Sequence, residues 1–269
     1  MHIYIQKNEK KGGIFIKKIA VLSPHLDDGV LSCGDYIAHE TAIGNEVTII
    51  TIFTGYPSSV ELSDAAKIYH SNCFLSDDSM RYRKNEDIAA CDLLNCKYLH
   101  LDFFECLYRR KANGDYVYSQ LSNIYYLDFE DTEGVELLFE KLSCIVSQFD
   151  ILLAPLGLGN HADHLLTCAI VKKMVASKRF EGVVRFYEEI PYICYMNDNN
   201  EEILMSDLKP VIINTGYEYW MQKTNAILCY RSQLHIMWKN EFERMRQLKE
   251  VATKYTSGYS IRLWELRES

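Results

Sequence analysis

With 269 residues, 48 % of them hydrophobic, the chain has the apolar content of a packed globular protein, which excludes intrinsic disorder. A net charge of −8 excludes the basic stripe on which nucleic-acid binding depends. No apolar run approaches the length of a membrane span, and residues 1–13 lack the apolar core of a signal peptide.

Nine cysteines, an odd number with no C-x-x-C pair, read as reduced thiols rather than a disulfide framework. The expected compartment is the cytoplasm, with neither membrane nor nucleic acid as partner. Residues 1–16 read as an N-terminal extension and 17–269 as a single domain.

Residues 17–24 form the first expected strand, apolar from Ile19 to Leu22 and stopped by Ser23-Pro24. His25, Asp27 and Asp28 follow within four residues. A helix is expected over 29–43, with Val30, Leu31, Ile37 and Ala38 on its buried face. A strand that releases a histidine and two carboxylates ahead of a helix has the layout of a ligand site, because sites in open α/β sheets lie beyond the carboxyl ends of strands. His25 and Asp28 are three residues apart, so one turn of backbone aims both at one point and leaves Asp27 as a free base. The competing explanation is that both aspartates cap the helix.

Residues 46–54 are β-branched almost throughout, which predicts a strand buried on both faces. Strand, helix and strand in this order make a right-handed βαβ unit. Residues 55–79 are polar and lack periodicity. A loop that long is usually functional or mobile, and this one is placed to cover a site at the sheet edge. An amphipathic helix is expected over 80–94, with Ile88, Ala89, Cys91, Leu93 and Leu94 buried, and a third strand over 97–102. Residues 103–130, rich in Tyr and Phe, read as loop and short helix. A helix over 134–148 and a fourth strand over 150–155 follow.

That strand is followed by G-L-G-N-H-A-D-H at 157–164 and an apolar helix over 165–175. Two strand ends therefore carry histidine and aspartate, and in a parallel sheet both ends lie on one edge. His25, Asp28 and either His161 or His164 converge as two nitrogens and one oxygen. Three protein ligands with an open fourth position form the pattern of a catalytic zinc.

The remainder reads as a fifth strand over 183–188, a polar excursion over 195–210, a short strand over 211–214 and a helix over 217–232. Trp238, Phe242, Met245, Leu248, Ala252 and Tyr255 then recur at helical spacing as a core stripe. His39, His70, His100 and His235 have no partners at useful spacing. The expected fold is α/β: one Rossmann-like, mainly parallel sheet flanked by helices.

S-P-H-L-D-D-G and N-H-A-D-H together resemble the PIG-L/LmbE family of zinc-dependent N-deacetylases, whose motifs read approximately P-H-P-D-D-E and H-P-D-H. The resemblance covers roughly residues 17–195. It extends to Arg83-Lys84-Asn85-Glu86, to Leu101-Asp102-Phe103-Phe104-Glu105 and to Glu188-Glu189-Ile190-Pro191-Tyr192. It implies that His25, Asp28 and His164 hold the metal, zinc or another divalent ion such as Fe2+ or Co2+. Asp27 is then the general base. His161 stabilises the oxyanion as an imidazolium that Asp163 orients, and Arg83 and Glu105 grip sugar hydroxyls. The implied reaction removes the acetyl group of an N-acetylated amino sugar, with an aminoglycoside precursor of antibiotic biosynthesis as the specific candidate. Leu26, Gly29 and Ala162 depart from the family motifs. None is a metal ligand, but Gly29 removes an acidic group.

Three other readings share these residues. Two histidines and a carboxylate also make the facial triad of non-haem iron oxygenases, which are usually built on β-barrels rather than βαβ units. A dinucleotide-binding enzyme would carry G-x-G-x-x-G after the first strand, which is absent here. A non-catalytic metal- or sugar-binding module has no use for a spare base such as Asp27.

Overall fold

The structure is a computed structural model that describes residues 10–11, 14–56, 62–72, 79–132, 134–196 and 207–267. Most of the expected N-terminal extension, part of the 55–79 loop and most of the polar excursion at 195–210 lie outside the described residues. Lys10–Lys11 and Ile14–Phe15 pair as a small antiparallel ladder of their own.

The main sheet contains seven strands: β1 (Lys18–Ser23), β2 (Glu46–Thr51), β3 (Lys97–His100), β4 (Ile151–Pro155), β5 (Val183–Tyr187), β6 (Leu208–Asn214) and β7 (Ser260–Leu266). Their spatial order is β3-β2-β1-β4-β5-β7-β6. The first five are parallel, and β7 runs antiparallel between β5 and β6. The strand order reverses between β1 and β4, where an open α/β sheet forms its crevice. Both histidine-bearing turns open there. Residues 260–266 carry no turn signal and were not foreseen as a strand. β7 is stabilised by pairing with strands about 50 and 75 residues earlier, which no local pattern reports.

Helix α1 (Asp28–Ala42) is buried on nearly all sides rather than along one stripe. The sheet covers one face and the later helix Tyr217–Ile227 covers the other. That helix sends Lys223 Nζ to the Ser32 carbonyl (3.0 Å) and to Asp35 Oδ1 (3.2 Å). The 55–79 region is not structureless, since it contains α2 (Asp64–Asn72).

Helix α3 (Ser79–Leu93) corrects the expected burial. Its inner face is Arg83, Glu86, Asp87, Ala90 and Cys91, whereas Ala89 is exposed and Leu93 is 56 % exposed. The charges are tolerated inside because they are paired. Glu86 accepts from Ser232 N–H (2.9 Å) and Oγ (2.6 Å). Asp87 accepts from Tyr230 OH (2.7 Å) and faces His100 Nε2 (2.8 Å).

Helix α4 (Val135–Val146) follows, then α5 (Ala162–Ala176). The single helix expected over 217–232 is two, α6 (Tyr217–Ile227) and α7 (Arg231–Met237), broken around the buried Tyr230. The last stripe is partly core. Leu248 and Ala252 of α8 (Glu241–Ala252) are buried, but Phe242 is 79 % exposed and Tyr255 lies beyond the helix.

Candidate active site

The turn after β1 is built on Ser23. Its Oγ donates to the His25 carbonyl (2.6 Å) and accepts from Gly29 N–H (2.8 Å). A Cβ at Gly29 would press on Ser23 at 3.3 Å and on Ile49 at 3.4 Å. The glutamate of the family motif would therefore need these side chains to give by a few tenths of an ångström. Asp27 occupies the helix N-cap position but makes no capping hydrogen bond, so the capping explanation does not account for it. Asp28 folds back to accept from His25 N–H (2.8 Å). Its Oδ2 lies 3.2 Å from His25 Nδ1 and 3.2 Å from His164 Nε2.

The turn after β4 supplies the other half. Gly159 has φ +75° and faces the Tyr192 ring, which a Cβ would meet at 2.2 Å. Only glycine lets that ring approach His164, edge-on at 5.8 Å. His161 caps α5 through Nδ1, which accepts from Asp163 N–H (3.2 Å). His164 presents Nδ1 to Glu189 Oε1 (3.2 Å). Glu189 is fully buried and also accepts from the N–H groups of Leu156, Gly157 and Leu158 (2.7–3.2 Å). One carboxylate thus fixes both the β4 turn and the orientation of His164.

Asp163 is placed differently from the expectation. Its Oδ2 pairs with His25 Nε2 at 2.9 Å and lies 4.0 Å from His161 Nδ1, so it orients His25 rather than His161. Arg109 Nη1 donates to Asp163 Oδ1 (2.5 Å), and the same guanidinium grips Asp131 twice at 2.7 Å. Tyr118 OH closes the chain on Asp131 (2.9 Å). Arg83 and Glu105, expected to grip substrate separately, are paired with each other at 2.9 Å, and both line the cavity.

Charge follows this wiring. Burial and the neighbouring Asp28 push Asp27 up to about 7, against the pull of Arg83 and His25. Burial opposes the ionisation of Asp163, yet Arg109 and His25 hold its carboxyl far below the usual range. Burial likewise opposes protonation of His164, but Asp28 and Glu189 raise it to about 9. Burial and the nearby His25 lower His161 to about 3, so at neutral pH it is an uncharged imidazole. Asp163, the counter-charge expected for a His161 imidazolium, is engaged by His25 and Arg109 instead.

The donor set fits a divalent cation. Two ligands on one tetrahedral zinc stand about 3.4 Å apart, given Zn–N and Zn–O bonds of about 2.0–2.2 Å. The two 3.2 Å separations around Asp28 Oδ2 match this. The three imidazoles of His25, His161 and His164 also offer ligand atoms within 4.8 Å of one another, but Asp28 sits closer to His25 and His164. The centre opens into a cavity of about 400 Å³, within the range of small-molecule sites.

Residues 20–175 match the PIG-L family, described as GlcNAc-PI de-N-acetylase. The chain belongs to this family. The oxygenase and dinucleotide readings fall with that membership, and the metal-dependent N-deacetylase class stands. Among solved structures, a deacetylase of the teicoplanin biosynthesis pathway is similar at 26 % identity, with a TM-score of 0.80 over 94 % of this chain and 98 % of that one. A zinc-inhibited form of teicoplanin deacetylase matches at 25 % identity with the same TM-score and coverage. The N,N'-diacetylchitobiose deacetylase of Pyrococcus horikoshii shares the fold at 19 % identity, with a TM-score of 0.58 over 92 % of this chain and 82 % of that one. No curated protein matches the chain.

Sequence reasoning missed Arg109 and Asp131 and gave Glu189 no role. Glu189 had a signal in the resemblance around 188–192. Arg109 had none, since its partners lie 22 and 54 residues away.

Proposed function

We propose that the protein hydrolyses the acetamide of an N-acetylglucosamine-type sugar, with His25, Asp28 and His164 holding a zinc ion. The observation that carries this is the position of Asp28 Oδ2, 3.2 Å from each of the two imidazoles, with Asp27 beside it and free of any capping bond. The relative described in a zinc-inhibited form supports a site that takes a divalent ion. Zinc supplies Lewis acidity and makes a water acidic near neutral pH.

The chain's own residues do the rest. Asp27, with its raised pKa, takes the proton of the attacking water as its oxygen bonds to the acetyl carbon. Nδ1 of His161 is occupied by the Asp163 N–H, so its proton sits on Nε2. From there it donates to the carbonyl oxygen as negative charge develops, as a neutral imidazole can. When the C–N bond breaks, Asp27 returns its proton to the leaving amine. Acetate and a free amino sugar result.

Away from the metal centre, the wall combines one buried ion pair, Arg83–Glu105, with Leu107, Ile124, Tyr125, Tyr192, Tyr195 and Met237. A sugar ring is held at the ion pair and an apolar or aromatic aglycone against the rim. An aminoglycoside precursor is the second reading. It is disfavoured because Glu105, the one carboxylate outside the centre among the described lining residues, is already paired. The relative from the teicoplanin pathway supports an antibiotic role. The free thiols of the eight described cysteines suit a reducing compartment, the cytoplasm, and no described helix is long and apolar enough to cross a membrane. Acetate release from aryl or alkyl N-acetylglucosaminides, compared with 2'-N-acetylparomamine, tests the choice. Turnover of the aminoglycoside alone reverses it, and release from neither refutes the sugar assignment.

Metal uptake should be pH-dependent. His164 must shed a proton that it otherwise holds up to about 9, so affinity should rise from pH 6 to pH 9 with proton release on binding. Calorimetry in two buffers of different ionisation enthalpy measures this, and a buffer-independent heat would refute it. Arg83→Ala and Glu105→Ala should each lower kcat/KM about 10–100-fold with metal content unchanged. Because the two side chains share one bond, the double variant should lose less than the product of the single losses.

A further inference from the structure

Cys106, His161 and Asp163 offer a sulfur, a nitrogen and an oxygen within 4.8 Å of one another; Cys106 and Asp163 are buried and His161 is partly so. Cys106 opens the short turn Cys106–Tyr108, and its N–H donates to Asp163 Oδ2 (3.1 Å), which draws the two residues together. Cys106 and His161 both line the cavity, so the group is reached from the substrate side. Hydrolysis as described above gives the Cys106 thiol no task.

We propose that these three residues form a second cation position, distinct from the trio around Asp28, that takes a thiophilic divalent ion such as Cd2+ or excess Zn2+. Thiolate, imidazole and carboxylate together are ligands for such ions. Asp163 would take the ion at the acceptor position that the Cys106 thiol now uses. A carboxylate offers about four acceptor positions, and the other three are used: Oδ1 by Arg109, and Oδ2 by His25 and the Cys106 N–H. Sulfur and nitrogen on one tetrahedral zinc stand about 3.6 Å apart, given bonds of about 2.3 and 2.0–2.1 Å. The sulfur therefore closes by about 1 Å, which rotation of the short cysteine side chain can supply, and His161 Nδ1 and Asp163 Oδ2, now 4.0 Å apart, draw together by about 0.6 Å. On binding, the S–H bond breaks, a sulfur–metal bond forms and the proton leaves to solvent. The ion takes His161 Nδ1, the nitrogen nearest Asp163 (4.0 Å), from the Asp163 N–H that holds the ring, so the ring turns and Nε2 leaves the substrate carbonyl; the resulting inhibition rests on the proposed function.

The test exploits sulfur. The first position has only nitrogen and oxygen donors, so thiolate-to-metal charge-transfer absorption reports on the second. Enzyme loaded with one equivalent of zinc is titrated with Cd2+. The wild type should show the ultraviolet band with a second bound equivalent, and activity should fall in step. Cys106→Ser and Cys106→Ala should keep their basal activity, show no band at that equivalent, and need more than about tenfold higher Cd2+ for inhibition, as loss of one ligand implies. A wild type without the band overturns the proposal, as does a band that persists in both variants. Because the band needs no substrate, it decides the site even if the deacetylase reading fails.

Discussion

Asp27→Asn is expected to bind metal normally and to lose about 10²–10⁴-fold in kcat, the usual contribution of a positioned general base. Asp28→Ala and His164→Ala are expected to purify metal-poor. The neighbouring aspartates are chemically identical, and geometry separates them. Asp28 turns back between His25 and His164, while Asp27 faces the cavity. Metal analysis and single-turnover rates on the three variants read the difference. Loss of metal from Asp27→Asn with retention in Asp28→Ala would reverse the two roles.

The same substitution should act on stability with the opposite sign. The folded state raises Asp27 to about 7 from its ordinary value of 3.8. Relative to the unfolded chain, the folded protein therefore disfavours the charge. The stability associated with the neutral form is fully present below about pH 4 and is lost as pH rises through 7, by an amount on the order of a few kcal/mol for a shift of about three units. Asn carries no such charge. Chelator-treated Asp27→Asn should therefore melt several degrees above chelator-treated wild type at pH 8, and the gap should shrink towards pH 4. A gap that is constant with pH would show that Asp27 does not carry the raised pKa.

Arg109→Met should be the most damaging substitution remote from substrate. It strands Asp131 and Asp163, two carboxylates with no exposed side-chain surface, and breaking a buried pair in this way costs about 3–5 kcal/mol. It also frees Asp163, which holds the His25 ring by Nε2. Loss of such a partner behind a metal ligand typically lowers metal affinity about 10–100-fold. Adding Asp131→Asn to Arg109→Met should restore part of the stability by removing one stranded charge, but not the metal affinity, because Asp163 still lacks its guanidinium partner. Arg109→Lys should rescue little, since an ammonium cannot form the planar double bond to Asp131 and also reach Asp163. Denaturant midpoints and competition with a zinc chelator separate the two effects. If affinity recovers together with stability, the link from Arg109 to the metal ligand is not there.

The parallel half of the sheet was legible because strand and helix periods alternate cleanly from 17 to 94. Both histidine turns were legible because each packs its chemistry into eight residues or fewer. The wiring behind them was not. The resemblance paired the Asp163 carboxylate with His161, whereas its side-chain partners come from 138 residues before and from a guanidinium 54 residues away. The inner face of α3 was misassigned because apolarity was taken as the signal for burial, and Arg83, Glu86 and Asp87 are buried by pairing instead. The strand at 260–266 was missed because its neighbours are distant strands rather than a hairpin partner.

That late strand bears on how the protein comes into being. β6 touches the sheet only through β7, so during synthesis it has nowhere to add until some fifty further residues have emerged. Until then β5 is an open parallel edge and β6 a loose apolar segment, the kind of surface that recruits other nascent chains. The active-site wall waits as well. Glu188, next to the carboxylate that orients His164, is held by Arg262 and Trp264 of β7. A polypeptide stopped short of β7 would carry the proposed metal ligands and base, with Glu189 on the β4 turn, yet lack two of the partners that hold Glu188 beside it. Order in this wall of the cavity therefore depends on the strand that is added last among those described.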